Sequence, residues 1–450
     1  MTANKIPGVS HLDRIKCMPD IVSNPIPFLL KWAAEHGEVY RFPIGRKNGL
    51  VITSPSIIQQ ILQKKHKSFE KSLLQTEMLS RYIGNGLLTS TGDYWLRQRR
   101  SIQPAFHKQR LEQVSSLIVR EINKFSDELE GFAAKEKVVD MSALMMKSTF
   151  QIIGKSLFSD SQTQDDLEFI GNVITAVQNH FVKNVRLPFL RFYYEKSGTN
   201  KKYENLIRSS DFVIDRIIKE RKLTGKSKGD LLDMLLDITY EDTGEGMTNK
   251  QLRDESLILF VAGHETSANA MTWLWYILDK YPEVVEKLRK ESETILNGAD
   301  PTFENVRDLV FTKQVIQESM RLYPPAWMMD RVVREDIAVE GYEFKKGDIV
   351  LPFIFAVHRS DKFWEQPEVF NPERFSKDNE KQIPSFAYFP FGGGPRLCIG
   401  MQFAMMEMQF MLAMLIRKFK FTLAQAHEPK LQPLVTLRPK GSLKMKISLV

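Results

Sequence analysis

The chain has 450 residues, of which 43% are hydrophobic and 26% charged, a composition that excludes a disordered chain. Lysine and arginine exceed aspartate and glutamate by 63 to 55, and no block of consecutive basic residues favours nucleic-acid binding. The only cysteines, Cys17 and Cys398, are too few for a disulfide framework and favour a reducing, cytoplasmic location. The apolar runs are too short to cross a bilayer, so we expect a soluble protein without a membrane anchor.

The N-terminal region is predicted to contain a small sheet. Residues 38–44 and 49–53 are rich in Val, Ile, Tyr and Phe, which favour extended backbone. From Pro55 onward, apolar residues recur at helical spacing. This spacing predicts helices near residues 55–65, 93–107, 110–134, 140–158, 165–181 and 203–222.

The longest predicted helix covers residues 248–278, with Thr248 and Asn249 as capping residues. Further helices are predicted at residues 281–296 and 311–322, and Pro324 and Pro325 end the second of these. An irregular stretch rich in proline and aromatic residues leads to a last helix at residues 399–418. Because no linker or internal repeat divides the sequence, we predict one mainly α domain over residues 1–450.

A glycine-rich loop carries the second cysteine immediately before the last helix. Its sequence is Phe391-Gly-Gly-Gly-Pro-Arg-Leu-Cys398-Ile-Gly400. Glycines permit positive φ angles and close backbone approach, and free N–H groups at a helix start favour a negatively charged sulfur. The residues alone therefore leave two roles open for Cys398, nucleophile or metal ligand.

The loop resembles the haem-ligand signature of the cytochrome P450 family, Phe-x-x-Gly-x-Arg-x-Cys-x-Gly, and the family's other motifs follow along the whole chain. The resemblance implies a helix-rich triangular prism with a small β-rich N-terminal region. It also implies haem b (iron protoporphyrin IX) between the long central helix and the last long helix, with Cys398 as the iron ligand. Phe391, Gly394, Arg396 and Gly400 are the other matched positions.

The resemblance assigns further residues to the cofactor and to a structural lock. Trp95 and Arg99, at i and i+4 on one helix, match a clamp on a haem propionate. Arg331 and Arg396 match two more propionate partners, and His358 is a weaker candidate. Glu318 and Arg321, together with Arg374 in the segment Pro372-Glu-Arg-Phe375, match a buried lock that holds the cysteine loop.

The central helix contains Ala262-Gly-His-Glu-Thr-Ser267, which matches the family's oxygen-binding motif. In that motif Ala262 and Gly263 leave room beside the iron, and Glu265 and Thr266 relay protons to bound O2. His264 and Glu265 are also typical of the start of a zinc-protease motif, but position 268, where a second histidine is required, is alanine. Zinc chemistry is therefore not favoured.

These matches imply a monooxygenase that inserts one oxygen atom of O2 into an organic substrate. A thiolate ligand donates electron density that favours O–O cleavage. The chain contains nothing like a flavin or nicotinamide domain, so NAD(P)H would act indirectly, through a ferredoxin or flavodoxin with its reductase. Two alternatives are a peroxide-using haem enzyme and a non-catalytic haem-binding sensor.

The resemblance also implies a group of basic side chains on the cysteine face, which is a candidate docking surface for an acidic redox partner. They are Arg97, Arg100, Lys108, Arg417 and Lys418. The resemblance also implies a largely apolar substrate pocket lined by Leu73, Met78, Tyr82, Phe181, Leu259, Trp327 and Met328. It would suit hydroxylation of a lipophilic molecule such as a fatty acid or terpenoid. If Asn179, His180, Asn184, Arg186 and Arg191 faced the ligand instead, O-demethylation of a polar methyl ether such as a methylated sugar would be favoured.

Overall fold

A computed structural model describes residues 5–16, 18–44, 47–159 and 161–450, so Cys17 lies outside the described residues. The helices are α1 (His11–Lys16), α2 (Met18–Ser23), α3 (Ile26–His36), α4 (Pro55–Gln59), α5 (Ser80–Ile83), α6 (Gly92–Ile102), α7 (Lys108–Ala133), α8 (Met141–Phe158), α9 (Gln164–Arg186), α10 (Arg191–Lys196), α11 (Thr199–Thr224), α12 (Leu231–Leu236), α13 (Asn249–Leu278), α14 (Pro282–Leu296), α15 (Val310–Leu322), α16 (Ile354–Val357) and α17 (Met401–Lys418). The strands are β1 (Val39–Ile44), β2 (Lys47–Ile52), β3 (Phe69–Glu70), β4 (Val138–Asp140), β5 (Arg331–Val333), β6 (Ile337–Val339), β7 (Tyr342–Phe344), β8 (Ile349–Pro352), β9 (Phe419–Leu423), β10 (Leu431–Pro433), β11 (Leu437–Pro439) and β12 (Lys444–Leu449).

The chain forms two compact units, and the first contains residues 1–72, 314–398 and 429–440. Its main sheet has the strand order β1-β2-β8-β5-β3, in which only β2 and β8 pair in parallel. Apolar side chains from the strands and from α4 form a buried core that includes Leu50, Ile52, Ile57, Phe69, Val350 and Phe389. Pairing of Arg331 with Val350 fixes the position of β5 in this sheet.

The second unit contains residues 73–313, 399–428 and 441–450. Its central element is α13, which begins with a capping box between Thr248 and Gln251 and is buried along most of its length. Helix α8 packs closely against it, since a Cβ at Gly263 would lie 2.9 Å from Cδ1 of Ile153. A three-stranded sheet of order β4-β12-β9 completes the unit.

The mainly α fold class with small sheets is confirmed, and the helices predicted from spacing are present with shifted ends. The strands predicted at residues 38–44 and 49–53 correspond to β1 and β2. Helix α9 continues five residues beyond its predicted end at residue 181, because Phe181 and Asn184 remain on its buried face. Helices α1, α2, α3, α5, α10, α12 and α16 were not predicted, since most of them are too short for a periodic pattern to develop.

No helix in the described part of the chain has both the length and the apolarity that are needed to cross a bilayer. The prediction of a single domain over residues 1–450 stays a prediction.

Candidate active site

The loop that carries Cys398 is fixed by its own backbone. Gly392 and Gly394 adopt positive φ angles of 76° and 67°, and the N–H of Cys398 donates to the carbonyl oxygen of Phe391 at 3.0 Å. A Cβ at Gly394 would overlap the carbonyl oxygen of Leu62, so only glycine fits there. The Cys398 side chain is exposed, and α17 begins at Met401 with Gly400 as its N-cap. The loop therefore presents a thiol at a defined place just before a helix start.

The three residues of the predicted lock lie together in the first unit. Nε and Nη2 of Arg321 donate to the two carboxylate oxygens of Glu318, at 2.7 and 2.8 Å. Arg321 also donates to the carbonyl oxygens of His358, Pro367 and Val369, while Nε of Arg374 lies 3.4 Å from Oε1 of Glu318. Glu318 and Arg321 are completely buried. The cluster thus ties α15 to the segment that leads toward the cysteine loop.

The buried guanidinium of Arg331 and the partly buried one of Arg396 lie in the same unit. The pKa of Arg331 is lowered to about 10, mainly by burial, with a smaller lowering by the charge of Arg396 and with opposing effects of Asp330 and Glu70. Burial also lowers the pKa of Arg396, whose guanidinium contacts the Glu70 carboxylate and donates to the carbonyl oxygen of Phe69 at 3.2 Å. The Asp330 and Glu70 carboxylates thus lie beside the two guanidinium groups, whose N–H groups are donors suited to the oxygens of an anion.

His358 lies in the core of the first unit. The ring is fully buried, its Nε2 accepts the backbone N–H of Phe389 at 3.0 Å, and it stacks on Tyr388 with centroids 5.2 Å apart. Burial lowers the pKa of His358 to about 3, so the ring is neutral. A neutral imidazole can still donate a hydrogen bond through its other ring nitrogen, so the role of His358 as a propionate partner stays a prediction.

In the second unit, Trp95 and Arg99 lie one turn apart on α6. Trp95 is buried and Arg99 is partly buried. Their spacing places the indole N–H and the guanidinium on one face of the helix, as the sequence predicted.

The oxygen-binding motif lies in the middle of α13. Ala262 is exposed and Gly263 and Thr266 are partly exposed, although most of the helix is buried. The Thr266 hydroxyl donates to the carbonyl oxygen of Ala262 at 2.9 Å. Glu265 is buried and accepts a hydrogen bond from Gln178 of α9 at 2.7 Å. Small residues and a hydroxyl therefore occupy the accessible part of the helix, and the carboxylate is held to one side.

The zinc alternative gains no support within residues 5–16, 18–44, 47–159 and 161–450. His264 is buried against Phe150, and its Nδ1 lies 2.9 Å from the carbonyl oxygen of Phe260. No group of three or more His, Cys, Asp or Glu side chains in these ranges is arranged to hold a metal ion.

His180 and Asn184 of α9 form hydrogen bonds with each other and with Asn200 of α11. Nε2 of His180 lies 2.7 Å from Oδ1 of Asn200 and 2.8 Å from Nδ2 of Asn184, and the ring stacks on Tyr203. His180, Asn184 and Asn200 are all buried. Nε of Arg191 donates to the carbonyl oxygen of Asn184 at 2.9 Å. These groups already satisfy each other between α9 and α11, so they are poor candidates for holding the hydroxyl groups of a ligand.

The predicted pocket residues differ in exposure. In the second unit Tyr82, Phe181 and Leu259 are buried, Met78 is partly buried and Leu73 is 48% exposed. In the first unit Trp327 and Met328 pack against a buried apolar cluster, and the Trp327 indole donates to the carbonyl oxygen of Leu434 at 3.0 Å. Leu73 is the member whose exposure gives least support to a role in a closed pocket.

Several residues near these sites were not predicted from the sequence. Glu70 and Asp330 provide carboxylates beside Arg396 and Arg331, Ser72 donates to Asp330, and Lys71 is a buried cation in the same segment. The run Phe69-Glu-Lys-Ser72 follows several basic residues, Lys64, Lys65 and Lys67, and so carried no signal for a buried charge. Gln178 carried no signal, because a single glutamine on a helix has no characteristic pattern.

The sequence profile of the family "Cytochrome P450" matches residues 16–446. The chain is 32% identical to LUTEIN DEFICIENT 5 of Arabidopsis thaliana, over 92% of this chain and 72% of that protein. It is 30% identical to carotene epsilon-monooxygenase of the same plant, over 93% and 81%. It is 28% identical to cyclooctat-9-en-7-ol 5-monooxygenase of Streptomyces melanosporofaciens, over 88% and 85%.

The chain belongs to the cytochrome P450 family. It is a monooxygenase of that family, with the family's fold, and the family implies haem, O2 and electrons that originate from NAD(P)H and arrive through redox partners.

The residues present fit a haem group. A thiol on a fixed loop is a soft donor suited to iron. The guanidinium groups of Arg331 and Arg396 in the first unit are donors that suit the carboxylate of a propionate, and the indole and guanidinium of α6 in the second unit form another donor pair.

Proposed function

We propose that the chain binds haem b with the Cys398 thiolate as the iron ligand, and hydroxylates a lipophilic substrate with electrons from a separate ferredoxin or flavodoxin. Arg331, Arg396, Trp95 and Arg99 would hold the propionates. When bound, a thiolate-ligated haem supplies the activation of O2 for insertion of one oxygen atom. The single observation that carries the proposal is the Cys398 loop, in which two left-handed glycines and one backbone hydrogen bond fix the cysteine.

The residues of α13 would manage protons. Glu265 is the buried acid that exchanges protons with solvent, and the Thr266 hydroxyl lies in the accessible part of the helix, where it can donate to bound oxygen. The presence of both residues supports a monooxygenase over a peroxide-using enzyme or a non-catalytic sensor. NAD(P)H consumption that depends on substrate and redox proteins is expected, whereas the absence of such consumption would favour the sensor.

The substrate class is proposed from two observations. His180 and Asn184 of α9 are bonded to each other and to Asn200, which weakens the support for a polar methyl ether. The relatives carotene epsilon-monooxygenase and cyclooctat-9-en-7-ol 5-monooxygenase carry apolar terpenoid substrates in their names. We therefore favour a terpenoid or another long apolar molecule, including a fatty acid.

Replacement of the proposed ligand tests the haem site. Cys398→Ser is expected to lose the strongly red-shifted band that a thiolate gives to the reduced carbon monoxide complex, because a serine oxygen is a poor soft ligand. Cys17→Ser, at the chain's other cysteine, is the matched control and is expected to keep the band. Retention of the band and activity in Cys398→Ser would remove Cys398 from the ligand position.

A panel of ligands tests the substrate class. Terpenoids and fatty acids are expected to shift the spin state of the ferric protein, seen in the Soret band, and to be hydroxylated. Methoxy compounds, including methylated sugars, are assayed in parallel for formaldehyde. Formaldehyde release without any spectral shift from apolar ligands would replace hydroxylation by O-demethylation. Reconstitution with a ferredoxin system and a flavodoxin system in turn identifies the electron donor.

A further inference from the structure

A glutamine from a neighbouring helix holds the acid of the central helix. Nε2 of Gln178, on α9, donates to Oε2 of Glu265, on α13, at 2.7 Å. Glu265 is 2% exposed and Gln178 is partly buried, so water competes little for this contact. Both residues lie in the second unit. The bond joins two helices at the position of the acid–alcohol pair.

The two members of that pair are fixed in different ways. The Thr266 hydroxyl is bonded to the backbone of its own helix, through the carbonyl oxygen of Ala262. The Glu265 side chain has more rotatable bonds and receives its hydrogen bond from α9. The hydrogen bond from α9 restricts rotation of the Glu265 carboxylate. The restricted side chain loses less conformational entropy when it takes the one orientation from which a proton is transferred. The orientation of Glu265 therefore depends on α9 as well as on α13.

The chemistry of the donor suits this task. A hydrogen bond to an ionised carboxylate is stronger than one between neutral groups. A glutamine amide neither gains nor loses a proton, so it can hold the carboxylate without taking the proton that the acid must pass on. A lysine or histidine in its place would compete for that proton.

We propose that Gln178 is a positioning residue for Glu265, which it keeps in the orientation that delivers protons toward Thr266. The inference rests on the proposed function, in which Glu265 belongs to the proton path. It adds a residue on a second helix to a path that the sequence placed entirely on α13.

The first test measures how the consumed electrons are divided between product and hydrogen peroxide. Gln178→Leu removes the donor at similar size, and Gln178→Glu places a second acceptor against the carboxylate. Both are expected to lower product per NAD(P)H by several-fold, to raise peroxide correspondingly, and to increase the solvent deuterium isotope effect. Substrate affinity and the reduced carbon monoxide spectrum are expected to stay unchanged. A purely structural role would lower the amount of intact protein without changing this division of electrons.

The matched control lies on the same helix. Gln164 donates to Glu168 at 3.3 Å in an exposed amide–carboxylate pair on α9. Gln164→Leu is expected to leave the product yield per NAD(P)H and the isotope effect at their parental values. An unchanged yield in both Gln178 variants, or an equal loss in Gln164→Leu, overturns the proposal.

A second readout does not depend on turnover. Urea unfolding of the haem-loaded protein is measured for Gln178→Leu, Glu265→Ala and the double variant. Because the bond involves a buried carboxylate, the effects on the unfolding equilibrium constant are expected to be non-additive by a factor on the order of ten. Additive effects overturn the contact itself. Coupling in unfolding together with normal yield in Glu265→Gln shows instead that the contact exists but that Glu265 lies outside the proton path, which overturns the positioning role.

Discussion

The Oε2 atom of Glu255 accepts the backbone N–H of Leu87 at 3.0 Å, and Oδ2 of the adjacent Asp254 accepts the N–H of Asn85 at 3.0 Å. Two neighbouring carboxylates at the start of α13 thus hold alternate residues of the loop after α5. The fit is close, since a Cβ at Gly86 would lie 2.7 Å from Oε2 of Glu255. This loop continues from the segment that contains the predicted pocket residues Met78 and Tyr82.

Removal of the Glu255 carboxylate is expected to loosen this loop. Glu255 is completely buried, so Glu255→Ala leaves the Leu87 N–H without its acceptor and lowers the free energy of unfolding by about 1.5–3 kcal/mol. Glu255→Gln keeps an acceptor oxygen and is expected to lose less. Urea unfolding and the substrate-induced Soret shift measure the two effects. Equal stability of Glu255→Ala and the parent would contradict this role.

Replacement of Glu318 and replacement of Arg374 are expected to lower the free energy of unfolding by different amounts. Glu318→Ala leaves the fully buried Arg321 guanidinium without its carboxylate and is expected to lower the free energy of unfolding by about 3–5 kcal/mol. Arg374 is 13% exposed and more distant from Glu318, so Arg374→Ala is expected to cost less. Thermal unfolding and the yield of the red-shifted carbon monoxide form give the comparison. A larger loss in Arg374→Ala would reverse the assignment of the central member.

Glu407 of α17 predicts a pH dependence of stability. Burial raises the pKa of its carboxyl from 4.5 to about 8. Between these values the folded chain keeps a proton that the unfolded chain has released, so this group makes stability fall as pH rises, by about 1.4 kcal/mol per pH unit at most. Glu407→Gln removes the effect and is expected to be more stable than the parent at pH 8 but not at pH 4.

The control for Glu407 is Glu245→Gln, at an exposed position. Urea unfolding at several pH values gives the difference between each variant and the parent. A Glu407→Gln difference that does not change between pH 4 and pH 8 would mean that the carboxyl titrates normally.

Thr266→Ala is expected to keep haem binding but to form more hydrogen peroxide per NAD(P)H. The variant loses the hydroxyl that donates to the carbonyl oxygen of Ala262, and the proton needed for O–O cleavage then arrives less reliably. Thr272→Ala, one turn and a half further along α13, removes a similar hydroxyl bonded to the Ala268 carbonyl oxygen and serves as the control. Equal product per NAD(P)H in Thr266→Ala and the parent would take Thr266 out of the proton path.

Two arginines of α6 allow a test of whether exposed positive charge guides docking of the redox partner. Arg97 lies 3.4 Å from Asp242 and over the ring of Tyr240, whereas Arg100 is exposed. Steering by exposed charge weakens as salt increases. We expect Arg100→Gln to slow reduction by an acidic ferredoxin or flavodoxin more than Arg97→Gln does, and the difference to vanish at high salt. A reduction rate that does not respond to ionic strength in the parent would contradict electrostatic docking.

The sequence predicted local features better than contacts between distant segments. Thr248 marks the start of α13 because a capping residue acts on the next turn, and the glycines around Cys398 mark a loop because their effect is on their own backbone. Partners of buried charges were not predictable in the same way. Glu70 contacts Arg396, and Gln178 contacts Glu265, across long stretches of chain that carry no shared pattern. Similarly, the motif position of His358 did not predict that its ring is buried in the core.

The close approach of Gly394 to the carbonyl oxygen of Leu62 has a consequence for biosynthesis. The cysteine loop is built on a turn that leaves the ribosome early, but the loop itself emerges only near the end of translation. Contacts of such high sequence separation form slowly, because a long chain segment must first be closed into a loop. With Cys398 as the proposed iron ligand, iron acquisition is a late event in the maturation of this protein, and a chain released before residue 394 contains the Leu62 surface but lacks the cysteine loop that packs against it.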